Sequence, residues 1–72
     1  MIKMKTLKEF ERQWNENIKK AKKVEVYDKN RTFIVANKYE AIRYDKEYII
    51  MLYLNNEIVG SAYLRYIDAI GN

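Results

Sequence analysis

The chain has 72 residues and a net charge of +4, and it contains no cysteine and no histidine; a disulfide framework, a thiolate or imidazole metal site, a cysteine nucleophile and a histidine base are therefore excluded. It is 49% hydrophobic, yet a chain this short buries only about 60% of its unfolded surface and holds about 3–5 kcal/mol of stability, so each large apolar residue is needed for the core. No apolar run suited to a secretory signal follows Met1–Lys5 and no stretch approaches the ~18 apolar residues of a membrane span, which predicts one cytoplasmic domain over residues 1–72 that does not engage a membrane.

The charge is placed unevenly. Residues 1–23 hold eight basic groups against three acids, a local +5, and the remaining 49 residues hold six against seven, a local −1. The basic segment predicts a helix over about 7–22. Thr6 followed by Glu9 is a capping box, in which the hydroxyl accepts an early backbone N–H and the carboxylate reaches back to the cap. Leu7, Phe10, Trp14, Ile18 and Ala21 then recur at steps of three and four and draw one apolar stripe. Lys19, Lys20, Lys22 and Lys23 close the helix, where cations interact favourably with its negative end. With no glycine to cap it, the helix is expected to run into the next strand near Val24.

From there to about residue 70 the pattern is that of short strands. Val24–Tyr27 and Thr32–Ala36 flank a polar turn in which Asn30 suits a left-handed conformation. Asn37-Lys38 marks a bend, Tyr39–Tyr44 reads as a strand, and Asp45-Lys46 connects it tightly to Glu47–Leu54. Asn55-Asn56 is the clearest hairpin signal, because asparagine tolerates the positive φ of a type I′ turn at both central positions. The next strand is expected over Glu57 to about Tyr66, with Gly60 marking a bulge or a close backbone approach, and Ile67–Ile70 is either a short strand or a helical turn. A two-residue turn pairs Tyr53 with Ile58, Met51 with Gly60, Ile49 with Ala62 and Tyr48 with Tyr63.

Residues 48–54, Tyr-Ile-Ile-Met-Leu-Tyr-Leu, are apolar on both faces of such a hairpin, and a sheet with one solvated face would alternate instead. The expected fold is α+β: an N-terminal amphipathic helix packed on a strongly bent antiparallel sheet of four to five strands, a small barrel or half-barrel. A flatter sheet whose uncovered face is an oligomer or partner interface is the second solution. The helix followed by short antiparallel strands resembles the SH3-like and Sm-like small barrels, and Tyr63-Leu64-Arg65-Tyr66-Ile67 resembles the hydrophobic-Arg-Gly strand of Sm proteins. Tyr66 stands where that pattern has glycine, and the earlier strands lack its glycine and its Asp-to-Asn spacing, so the resemblance implies topology and carries no binding residues.

Three sets of residues are candidates for function. In the expected register Arg43, Tyr48, Tyr63 and Arg65 project to one side of the sheet, where tyrosine faces stack unpaired bases and guanidinium groups meet phosphates. Cross-strand tyrosines edged by arginine also stabilise sheets that bind nothing, and the sheet region lacks the surplus positive charge that phosphates require. Lys19, Lys20, Lys22 and Lys23 form a second patch able to meet an anionic backbone or an acidic protein, or simply to satisfy the helix dipole. The carboxylates Glu40, Asp45, Glu47, Glu57 and Asp68 sit mostly beside turns and read as solvated. No phosphate loop, metal-ligand spacing or nucleophile elbow is present, so the expectation is no enzyme, no cofactor, no metal and no small-molecule substrate.

The expected function is a non-enzymatic binding protein that acts stoichiometrically by occupying a larger macromolecular partner. Tyrosine suits such a role because it gives large contact area at low entropic cost. Small single-domain proteins of this kind are often encoded by phages and mobile elements to inhibit a host nuclease or defence complex. Homo-oligomerisation is a further expectation for the surplus apolar face, and a small-barrel RNA or single-stranded DNA binding protein is the alternative function.

Overall fold

The computed structural model describes residues 6–72; the absence of a leader read from Met1–Lys5 lies outside them. The first helix, α1 (Leu7–Ala21), starts as its sequence dictates: Thr6 is extended and its Oγ1 accepts the Glu9 N–H at 3.2 Å. Phe10 and Trp14 are buried, and Leu7 and Ile18 pack beside them. The end of the helix is a defined stop rather than a run into the strand. Lys22 takes a left-handed conformation (φ 63°) and its N–H donates to the Ile18 carbonyl at 2.9 Å, so a lysine fills the position that glycine usually occupies.

Six strands follow: β1 (Val24–Asp28), β2 (Phe33–Ala36), β3 (Lys38–Tyr44), β4 (Glu47–Leu54), β5 (Glu57–Tyr63) and β6 (Ile67–Gly71), with a 3₁₀ turn over Leu64–Tyr66 between the last two. The β1–β2 loop is organised by Asp28, whose carboxylate accepts the Asn30 and Thr32 N–H groups at 2.8 and 3.1 Å and the Thr32 hydroxyl. The Thr32 hydroxyl, helped by the backbone donors, holds the Asp28 carboxyl below its usual range. In this loop the left-handed residue is Arg31 (φ 64°) rather than Asn30. Asn55 (φ 53°) and Asn56 (φ 70°) both take the positive φ of the type I′ hairpin expected of them.

The strands form two antiparallel sheets, β2-β1-β6 and β3-β4-β5, neither closed nor strongly curled. The α+β class stands, with one N-terminal helix. The single, strongly bent sheet of four to five strands does not, and neither does its closure as an SH3/Sm-like barrel or half-barrel. Two features account for the difference. Ile67–Gly71 is a sixth strand that pairs with β1, drawing β1 and β2 into a sheet of their own. Asn37 interrupts the chain between β2 and β3, where its N–H donates to the Tyr53 carbonyl at 2.9 Å and its side chain exchanges two hydrogen bonds with Asn55, each 3.1 Å. The corner between the sheets is thereby tied to the tip of the β4–β5 hairpin.

One core joins the helix and both sheets. Val24, Val26, Ala36, Ile67 and Ile70 from the first sheet, Ile50 and Leu52 from the second, Leu64 from the 3₁₀ turn, and Phe10 and Trp14 from the helix are all buried. The Tyr39 ring of β3 meets Phe10 and Trp14 edge-on, with centroids 4.9 and 4.7 Å away. Burial raises the Tyr39 phenol above its usual pKa, with the Glu11 carboxylate adding to the effect.

Candidate functional site

The register of β4 against β5 decides which side chains share a face. Tyr53 pairs with Ile58 as the two-residue turn requires, but Val59 is an extra residue, and beyond it the ladder runs Leu52 with Gly60, Ile50 with Ala62 and Ile49 with Tyr63. The pairs expected past the turn, Met51 with Gly60, Ile49 with Ala62 and Tyr48 with Tyr63, are each shifted by one. Gly60 is where this becomes possible. A Cβ there would lie 2.5 Å from Ile34 Cδ1, so the absence of a side chain lets β2 approach β5.

A one-residue shift moves a whole strand's side chains to the other face. Tyr48 lies in register with Arg43 on the face that carries Ile50 and Leu52 into the core, whereas Tyr63 lies on the outward face with Ile49. The four residues Arg43, Tyr48, Tyr63 and Arg65 are thus not one platform. Arg43 stacks on the Tyr48 ring, 5.7 Å from its centroid, and that tyrosine packs against the core. Arg65 lies 5.3 Å from the Tyr63 ring and 4.7 Å from the Tyr66 ring, with Nη1 2.8 Å from Glu47 Oε1. Lys29 approaches the Tyr66 ring at 5.0 Å. Arg65 already serves an internal carboxylate and two internal rings.

Lys19, Lys20, Lys22 and Lys23 are all exposed at the end of α1, and among the described residues none of them makes an ion pair. The carboxylates do not converge. Glu40 accepts the Tyr53 hydroxyl at 3.2 Å, Asp45 occupies its turn at φ 57°, Glu47 faces Arg65, Glu57 begins β5, and Asp68 lies half-buried in β6. Among the described residues no group of three potential metal ligands is found, and no helix is long and apolar enough to cross a membrane.

What the geometry does gather is a broad apolar surface. Along the outward face of β3-β4-β5 run Ile42 and Tyr44 from β3, Ile49, Met51 and Tyr53 from β4, and Ile58, the polar Ser61 and Tyr63 from β5. Ile42 is 43% exposed, Tyr44 63% and Ile58 61%, and the bulged Val59 is 42% exposed beside them. Neither the helix nor the other sheet covers this face, because both pack on its reverse. Lys38 lies at one end and the Glu47–Arg65 pair at the other, and between them Glu40 and the exposed Ser61 flank Met51 on either side. Burial, with the Glu40 carboxylate alongside, raises the Tyr53 phenol above its usual pKa.

Of these residues, Ile42, Tyr44 and Ile58 were not singled out by patterning, which weighted the aromatic and basic residues instead. The signal was present: Lys38, Glu40, Ile42 and Tyr44 alternate with Tyr39, Ala41 and Arg43, and Gly60 marks the bulge that reassigns Tyr63. No family model, curated protein or solved structure matches the chain. Function is therefore read from the chain's own surface chemistry.

Proposed function

We propose that the protein is a non-enzymatic binding module that acts by stoichiometric occupation of a protein partner, with the outward face of β3-β4-β5 as its docking surface. One observation carries this reading: in a chain too short to spare apolar residues, the outward face of β3-β4-β5 leaves Ile42 and Tyr44 exposed toward one end and Ile58 and Val59 toward the other. Aromatic and aliphatic side chains held by a rigid ladder lose little entropy on contact, which suits them to the centre of an interface. The nucleic-acid alternative has less to draw on, since Tyr48 and Tyr63 point to opposite faces and Arg65 is held by Glu47. Host nucleases and defence complexes are the first candidates for the partner.

Affinity capture from the native host, followed by titration of the purified captured protein, tests the proposal. Saturable 1:1 binding lost in Ile42→Glu and Tyr44→Ala, and kept when Lys19, Lys20, Lys22 and Lys23 are changed to glutamine, is the expected pattern. Binding that follows the lysines and ignores the sheet face overturns it. Gel shifts with single-stranded RNA and DNA at two salt concentrations address the alternative. Salt-sensitive binding lost in both Tyr48→Ala and Tyr63→Ala would replace the protein partner with a nucleic acid.

A further inference from the structure

Resting on the reading of the protein as a binding module, we infer that the partner contributes an extended segment of its own chain, which pairs with the free edge of β5 as a fourth strand of β3-β4-β5 and sets a small aliphatic side chain between the two sheets. Every second residue of an edge strand turns its N–H and C=O away from its neighbour, and another extended backbone is what matches that alternation of donors and acceptors. β5 is such a strand. It pairs with β4 alone, and among the described residues its backbone makes no backbone hydrogen bond outside that ladder.

The other edges are obstructed. β2 runs at Asn37 into the corner held by the Tyr53 carbonyl, β3 carries Lys38, Glu40 and Arg43, and β6 lies against α1, where the Asn72 amide donates to the Asn17 carbonyl at 3.3 Å. Charged side chains and covering elements are what keep an edge from pairing. β5 has neither along residues 58–63, which are uncharged and include no proline. The bulge at Val59 leaves residues 60–63 as its regular part, so the segment it takes is about four residues long.

A gap beside that edge selects the side chain the segment brings. About 60 Å³ lies open between the sheets, walled by Val26, Ile34, Leu52 and Ile67 and bordered by Ser61 and Ala62. Ser61 and Ala62 point to opposite faces of β5, so a gap that touches both opens at the strand's edge. Its mainly apolar wall suits an aliphatic group, and its size suits a small one. A strand added to β5 turns alternate side chains toward the inner face, which is where the gap lies.

Titration of the isotope-labelled intact chain with a short blocked peptide of alternating threonine and valine, followed by amide chemical shifts and hydrogen exchange, tests this. Saturable 1:1 binding is expected, with shifts and new protection concentrated in β5 and around the gap, little dependence on salt, and affinity about tenfold lower for the same peptide N-methylated along its backbone. Ser61→Lys places a charge at an exposed position on the edge and should weaken binding likewise, with unchanged circular dichroism. No binding up to millimolar peptide, binding that survives N-methylation, or shifts centred away from β5 overturns the inference. So do β5 shifts that grow with protein concentration alone, since a second copy would then be the occupant. The two readings fail separately. A captured host protein that is lost in Ile42→Glu and bound unchanged by Ser61→Lys removes the strand pairing alone, whereas peptide pairing at β5 with no host protein captured through the outward face leaves the edge and removes the proposed function.

Discussion

Gly60 is the residue on which the register turns. Its missing side chain lets Ile34 approach, and a methyl group there would press on the far end of a flexible side chain rather than on backbone. Gly60→Ala is expected to cost about 1–2 kcal/mol by overpacking, and Ile34→Val alone about 0.5–1.5 kcal/mol. Because Ile34→Val removes the clashing Cδ1, the double variant should lose clearly less than the two single losses combined, as a urea-unfolding double-mutant cycle would measure. Additive losses would mean that the two side chains do not meet. Asp28 sets a pH dependence of its own. The Thr32 hydroxyl and two backbone donors favour its ionised form and place its pKa below the usual 3.8, so its contribution is complete above the unfolded-state value and is lost as pH falls through the folded-state value. Melting temperatures of the native protein and Asp28→Asn should therefore differ at about pH 6 and converge toward about pH 2. Neither consequence follows from residue identity alone. That a polar turn lies between β1 and β2 was readable, but that Asp28 organises it and that Arg31 rather than Asn30 takes the positive φ was not, since the choice depends on how many residues the carboxylate must span.

At the scale of elements, the helix and the hairpin at Asn55-Asn56 were legible because their determinants lie within a few residues: a Thr6 cap, an apolar stripe, and two residues that tolerate positive φ. The stop at Lys22 was not, since glycine is the usual signal and none is present. The joint between the sheets was read as a bend at Asn37-Lys38, but its hydrogen bonds reach 18 residues along the chain to Asn55, beyond any local pattern. Asn37→Ala removes both side-chain bonds and should cost about 1 kcal/mol, with hydrogen exchange rising at the β4–β5 tip as well as at the corner. A loss confined to the corner would show that the two elements are not coupled. The same long reach explains the candidate site. Tyr48 and Tyr63 were placed on one face by counting back from the turn, and a single extra residue at Val59 reversed the second of them. Arg43 with Tyr48, on the side of β4 without a bulge, was placed correctly.

For the whole molecule, the helix is what completes the core, and the core has no reserve. Phe10 is fully buried and joins Trp14 and Tyr39 in one aromatic cluster. Phe10→Ala should cost about 3–5 kcal/mol, comparable to the entire stability of a domain this small, leaving it largely unfolded at 25 °C with red-shifted emission from Trp14, its single tryptophan. Tyr44→Ala, at a position 63% exposed, should change stability by less than about 0.5 kcal/mol. A large loss at Tyr44 would mean that the outward face is supporting the fold rather than standing free of it.

The amino-acid sequence alone determined the class of element along nearly the whole chain, the helix start, the type I′ hairpin and the presence of more apolar surface than one small core can hide. Capping, periodicity and turn chemistry act over three to five residues, so they can be read where they are written. Only the tertiary structure decided that the strands divide into two open sheets, which face each tyrosine occupies, and where the surplus apolar surface lies. Those outcomes depend on β6 returning to β1 across the length of the chain and on one bulge beside Gly60, and pairing energy between distant strands leaves no local mark in either partner.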